Sequence, residues 1–183
     1  MGDDSLMGTR GRDRTWRCAT CGDAHRGLVT VFGPSSPDPW ASATAGQRAA
    51  GGINADTCVL TIDDDTFYFI RGEIPIDIVD SDSDDFAWAV WVSLSEQNMQ
   101  RLAGVWDQPE RVELPPMFAW LSNELSVYER STTNLAVNVH QREPGIAPWI
   151  ELDPADDHPM VHEQREGITL HHLAELNRLL LGG

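Results

Sequence analysis

The sequence predicts an α+β fold, a mainly antiparallel sheet with a few packed helices. Three observations carry this. Apolar residues alternate in a succession of short runs at 58–62, 67–71, 74–78 and 86–93, the two-residue period of half-buried strands. Helical spacing of apolar residues is confined to separate segments, chiefly after Ser95 and after Thr169, as expected for amphipathic helices packed on a sheet. The regular βαβ rhythm of a parallel nucleotide-binding sheet is missing, with no Gly-rich phosphate loop and no nucleophile elbow.

Length and composition set the frame. A chain of 183 residues fits one domain better than two and does not need a metal merely to bury a core. With 41% hydrophobic and 23% charged residues, it is globular rather than disordered. The net charge of −16 repels phosphates, so a nucleic-acid partner is not expected. A basic protein or a cationic ligand is the sharper alternative to solubility by self-repulsion. Every fixed positive side chain is arginine, which removes lysine chemistry such as Schiff-base formation. The first 17 residues contain Arg10, Arg12, Arg14 and Arg17 but no apolar signal core, and no apolar run approaches the roughly 18 residues of a membrane span. A cytoplasmic protein is expected, where an odd count of three cysteines points to metal or free thiols rather than disulfides.

The elements follow in order. Residues 1–14, polar and glycine-bearing, read as a disordered tail, and 15–183 as a single domain. Pro34, Pro37 and Pro39 make a loop before an alanine-rich helix from Trp40 to Ala50, which Gly51-Gly52 ends. Residues 58–62 and 67–71 form a hairpin across Asp63-Asp64-Asp65. Ile74, Ile76 and Ile78 alternate in the next strand, where Pro75 suggests an edge or bulge. After an acidic loop, 86–93 places Phe86, Trp88, Val90 and Val92 on one face and Trp91 on the other. Ser95 caps a helix reaching about Trp106, with Leu94 and Met99 as a hydrophobic staple. Beyond proline-rich loops, Leu135, Val137 and Val139 alternate, and 149–152 is a short strand. Residues 158–166 form a helix closed by Gly167, and Thr169 caps a last helix that buries Leu170, Leu173, Leu176 and Leu180.

Cys18-Ala19-Thr20-Cys21-Gly22 is the sharpest chemical signal. Two thiolates spaced by two residues can hold one tetrahedral ion, and glycine after the second lets the backbone fold back toward the sulfurs. Asp56-Thr57-Cys58 supplies a third thiolate, and His25 follows Cys21 at ligand spacing. A structural zinc ion held by Cys18, Cys21, His25 and Cys58 is therefore expected, in a zinc knuckle spanning 16–58. His158, Asp56 or water are the alternatives for the fourth position. A thioredoxin-type redox pair needs its first cysteine at a helix N-terminus, which Gly22 opposes.

With these residues in view, the chain resembles the uncharacterised bacterial family catalogued as domain of unknown function 2199. The resemblance runs from about Trp16 to Leu176. It rests on Cys18-Ala19-Thr20-Cys21-Gly22 with His25, Asp56-Thr57-Cys58, Phe69-Ile70-Arg71-Gly72, residues 88–95, Trp120-Leu121, His158-Pro159-Met160, Glu163-Gln164 and Gly167-Ile168. It implies an intracellular protein with a zinc knuckle and no established activity. The family pattern differs at Ala89 and Ala119, where it implies glycine, and at Ala147, where it implies arginine before Pro148.

Other constellations read more simply as structure. His162-Glu163-Gln164-Arg165-Glu166 opens like a zincin helix but has Glu166 where the second histidine belongs. Pro159 restricts His158 to a cap. His171 and His172 point about 100° apart on one helix. The acidic stretches at 63–65 and 77–85 lack the glycine and glutamate of an EF-hand loop. Seven tryptophans imply a large aromatic core, with a Trp-lined groove as the functional alternative.

The function these features support is a zinc-stabilised, non-enzymatic binding or adaptor protein with a protein partner and no membrane role. The alternative is a hydrolase or transferase with an unidentified active site, which a deep cleft with convergent His, Glu or Arg groups, such as Arg71, Glu163 and His158, would favour.

Overall fold

The protein is described by a computed structural model covering residues 7–10, 15–17, 20–81 and 85–182, without the side chains of 7–10, 16, 25 and 26. The α+β class holds, with a sheet that curls into a barrel-like core. Strand β1 (Met7–Arg10) pairs antiparallel with β4 (Val29–Gly33). Met7–Arg10, placed by the sequence in a disordered tail, is thus an edge strand. Between them β2 (Thr15–Arg17) and β3 (Ala24–Arg26) form a separate two-stranded hairpin.

The expected helix at 40–50 is two short ones, α1 (Asp38–Ser42) and α2 (Ala45–Ala50). Thr44 divides them, because its side chain and Gln47 close a capping box that starts a new helix. A two-residue strand, β5 (Gly52–Ile53), then leads through a turn into β6 (Thr57–Ile62).

The hairpin expected after Cys58 is present. Asp63, at φ 54, makes its turn, a conformation that aspartate tolerates. The returning strand β7 (Asp65–Asp77) runs for 13 residues and absorbs the separate strand read at Ile74–Ile78. Pro75 lies beyond the pairing of β7 with β6, which ends at Ile70, and with β11, at Glu73, and is matched only with Ala87 of β8. Strand β8 (Asp85–Leu94) pairs with β7 throughout, from Tyr68↔Leu94 to Asp77↔Asp85.

Helix α3 (Glu96–Gly104) is capped by Ser95 and stops short of Trp106. A 3-10 turn at Pro109–Glu113 and strand β9 (Met117–Leu121) follow; neither was read from the sequence. Strands β10 (Ala136–His140) and β11 (Trp149–Leu152) complete the sheet. From β7 the neighbours run β8, β9, β10, β11 and back to β7, the last step through the parallel pair Trp149↔Glu73. Closure into a ring removes edges. Parallel contacts at β4–β8 and β11–β7 qualify the mainly antiparallel expectation.

One apolar cluster draws on all five ring strands, including Ile74, Trp88, Val92, Leu121, Val139 and Ile150. Gly72 lies where the ring is tightest: a Cβ there would meet Ile150 Cδ1 at 2.6 Å and the Pro148 carbonyl oxygen at 2.9 Å. On the opposite face of β7 and β8, a small cluster gathers Ala43, Cys58, Leu60, Phe69 and Trp91. Trp88 and Trp91 thus serve two separate cores, as their opposite faces predict.

Helices α4 (Pro159–Glu166) and α5 (Leu170–Leu181) lie where expected. Gln164 exchanges hydrogen bonds with the backbone of Leu152 and Ile150, docking α4 on β11. Buried Asn177 does the same for α5 and Val29 of β4. No helix among the described residues is long and apolar enough to cross a membrane.

Candidate functional site

A polar cleft lies beside the β11–β7 contact. Its lining includes Asp56, Arg71, Trp106, Asp107, Arg111 and Pro148, and its volume is about 230 Å³. Each polar group is placed by local structure. Asn54 Oδ1 accepts hydrogen bonds from the Asp56 and Thr57 amides, an Asx turn between β5 and β6. The Arg71 amide donates to the Asp56 carbonyl oxygen at 2.9 Å, joining that turn to β7. The Glu73 amide donates to the Pro148 carbonyl oxygen, which fixes the far wall.

Arg111 comes from the 3-10 turn and is only 2% exposed. Its guanidinium lies over the Trp106 ring, and its Nε donates to Gln141 Oε1 at 3.1 Å. Gln141 Nε2 is buried without a hydrogen-bond partner among the described residues. Burial pulls the Arg111 pKa below its ordinary value, while the nearby Asp56 and Asp107 carboxylates oppose that shift. Those two carboxylates compensate Arg111. Among the described residues the half-exposed Arg71 guanidinium has no ion pair or hydrogen bond. Two guanidiniums on one cleft, one of them uncompensated, make a site for an oxyanion.

Arg71 was singled out by the sequence; Arg111 was not. It sits in a proline-rich stretch without periodicity, and no local signal shows that it is buried. Ala147 lines this same cleft.

Glu163 and His158 do not line the cleft. Glu163 accepts a hydrogen bond from the Tyr128 hydroxyl and pairs with His172 Nε2 at 3.2 Å. Trp88 Nε1 donates to the same hydroxyl at 3.1 Å. Burial and the Glu163 charge push the Tyr128 pKa up. His158 is buried and caps α4: its Nδ1 accepts from the Met160 amide and its Nε2 faces the Arg130 carbonyl oxygen. Both ring nitrogens are engaged, which takes His158 out of the candidates for a metal ligand. His162 Nδ1 contacts Arg165 on the surface.

Of the expected zinc ligands, Cys18 and the His25 side chain lie outside the described residues. The β2–β3 hairpin brackets 18–23, Cys21 is exposed in its turn, and Gly22 has φ 77. Glycine adopts that positive φ without strain. Cys58 is buried with no exposed surface, in the cluster of Ala43, Leu60, Phe69 and Trp91. Burial pushes its thiol pKa up to about 11. Among the described residues no group of three or more His, Cys, Asp or Glu side chains is placed to hold a metal.

A family described as an uncharacterized protein conserved in bacteria, domain of unknown function 2199, matches residues 17–168. No curated protein and no solved structure matches the chain.

Proposed function

The chain belongs to this bacterial family of domain of unknown function 2199, and we propose that it is a non-enzymatic binding or adaptor protein whose site is the Arg71–Arg111 cleft. The ligand presents an oxyanion to the two guanidiniums. The observation that carries this reading is a cleft with two arginines in a chain of net charge −16. Such a chain repels anions at long range, so a local arginine pair acts as a selective exception. Among the described residues the cleft lining offers carboxylates and guanidiniums but no His, Cys, Ser, Thr or Tyr side chain. Of Arg71, Glu163 and His158, groups whose convergence would favour a hydrolase or transferase, only Arg71 lines the cleft.

One zinc ion held by Cys18, Cys21, His25 and Cys58 completes the proposal. Its role is structural: it ties the hairpin at 15–26 to the strand that carries Cys58. Support comes from the donor set and from the backbone at Gly22.

Calorimetric titration with acetate tests the binding site. Two charge-assisted hydrogen bonds of about 1.5–3 kcal/mol each place a simple anion near millimolar affinity. Arg71→Gln should abolish that binding. Equal binding by wild type and variant rejects the assignment.

A further inference from the structure

We propose that the arginine cleft is the polar end of a longer groove. Its ligand is an N-acylated apolar α-amino acid carboxylate, either free or as the C-terminal residue of a polypeptide. The inference rests on the oxyanion reading above and specifies what the oxyanion is attached to.

The groove is visible in shared walls. A second, shallower depression of about 400 Å³ is lined by Asn54, Asp56, Val59, Tyr68, Met99 and Trp106, among others. Asp56 and Trp106 also line the arginine cleft, so the two spaces meet across these side chains. Together they reach the size of a small-molecule site, roughly 300–1,000 Å³. The far end is apolar: α3 supplies Met99 and Ala103, and the hairpin supplies Val59 and part of the Tyr68 ring.

The order of chemistry along the groove specifies the ligand. Arg71 and Arg111 take a carboxylate at one end. Asp56, at the junction, offers an acceptor and repels a second anionic group, so the matching ligand atom is a donor. Val59, Met99 and Ala103 take an apolar group at the other end. Carboxylate, adjacent N–H and apolar side chain is the arrangement of an acylated apolar amino acid. A fatty acid has no donor at the junction. A dianion such as a phosphate monoester meets Asp56. Fixing Asp56 through the Asn54 Asx turn and the Arg71 amide makes the junction preorganised.

The test is calorimetric titration of the full-length protein with acetate, N-acetylglycine, N-acetyl-leucine, N-acetyl-leucinamide and a hexapeptide ending in leucine. N-acetyl-leucine should bind at least tenfold more tightly than N-acetylglycine, the gain from burying most of a leucine side chain. N-acetyl-leucinamide should lose that affinity by tenfold or more. Met99→Ala should shrink the leucine advantage, and Arg71→Gln should weaken binding of both ligands. Peptide binding as tight as N-acetyl-leucine assigns a polypeptide C-terminus; exclusion of the peptide assigns the free acylated amino acid. Equal affinities for N-acetyl-leucine and N-acetylglycine overturn the groove while the oxyanion site stands. Failure of every carboxylate to bind overturns the oxyanion reading itself. Because the ligand series uses wild-type protein, the outcome does not depend on a variant folding.

Discussion

Arg111 lies over Trp106, its guanidinium carbon 4.6 Å from the ring centroid. The contact makes a buried arginine tolerable: the ring faces its charge and Gln141 Oε1 accepts a hydrogen bond from its Nε–H. The same contact forms one wall of the cleft, so stability and binding share a residue.

Arg111→Met should therefore lower both. Leaving the buried Gln141 amide without its partner costs about 1–3 kcal/mol, measurable by urea denaturation. Arg111→Lys should not restore stability, since an ammonium lacks the planar fork that stacks and donates at Nε. A midpoint unchanged in Arg111→Met would show that the stacked arrangement contributes nothing.

Tyr128→Phe should destabilise the fold by about 1–3 kcal/mol. The hydroxyl both accepts from Trp88 Nε1 and donates to Glu163, so its removal leaves the buried Trp88 N–H without this acceptor and Glu163 with His172 but without this donor. The double variant Tyr128→Phe with Glu163→Leu should recover part of the loss, because the carboxylate that lost its donor is gone. Additive losses in that double-mutant cycle would mean that the two residues are not coupled.

His172 gives a pH dependence of known sign. Its hydrogen bond to Glu163 raises its pKa above the ordinary 6.5, against the lowering effect of burial, with further help from the Glu163 and Glu175 charges. The folded state therefore holds this proton more tightly than the unfolded state. Its stabilisation is fully present below pH 6.5 and is lost as pH rises through the raised value. With the side chain 41% exposed, screening limits the effect to a few tenths of a kcal/mol. Melting curves from pH 5.5 to 8 should show a shallower decline for His172→Gln than for wild type. Parallel profiles would remove His172 from the account.

The zinc proposal separates two roles for Cys58. Protein purified without chelator should carry one zinc per chain by native mass spectrometry, and Cys18→Ser and Cys58→Ser should each lose it along with several °C of melting temperature. Acidification should release the metal as the thiolates protonate. If Cys58→Ser destabilises the fold but retains the zinc, Cys58 is a core thiol packed by Phe69 and Trp91, and the site closes with another ligand.

Much of the architecture was legible because it is local. The alternation of Phe86, Trp88, Val90 and Val92 against Trp91 identified a strand with two buried faces, and both are buried, in separate clusters. Ser95, Thr169 and Gly167 marked helix ends by the bonds their side chains or backbone angles allow. Strand β9 was missed because five residues between prolines and a polar loop carry too short a pattern. The helix at 40–50 was read as continuous because alanine favours helix on both sides of Thr44, while the capping box that splits it depends on a specific pair of side-chain bonds.

The sequence by itself determined the class of fold, the strands β6, β7, β8, β10 and β11 and the helix caps at Ser95, His158 and Thr169, since periodicity and capping act over a few residues. It also pointed to Arg71. Only the tertiary structure decided that β11 returns to β7 to close the ring, because a single parallel contact between distant segments leaves no trace in local spacing. That closure sets Pro148 against Gly72 and brings Asp56, Arg71, Trp106 and Arg111 to one cleft from four separate segments. Arg111 became a candidate for the same reason: burial of a charge is decided by what packs around it, and two of its partners, Asp56 and Gln141, lie far away along the chain.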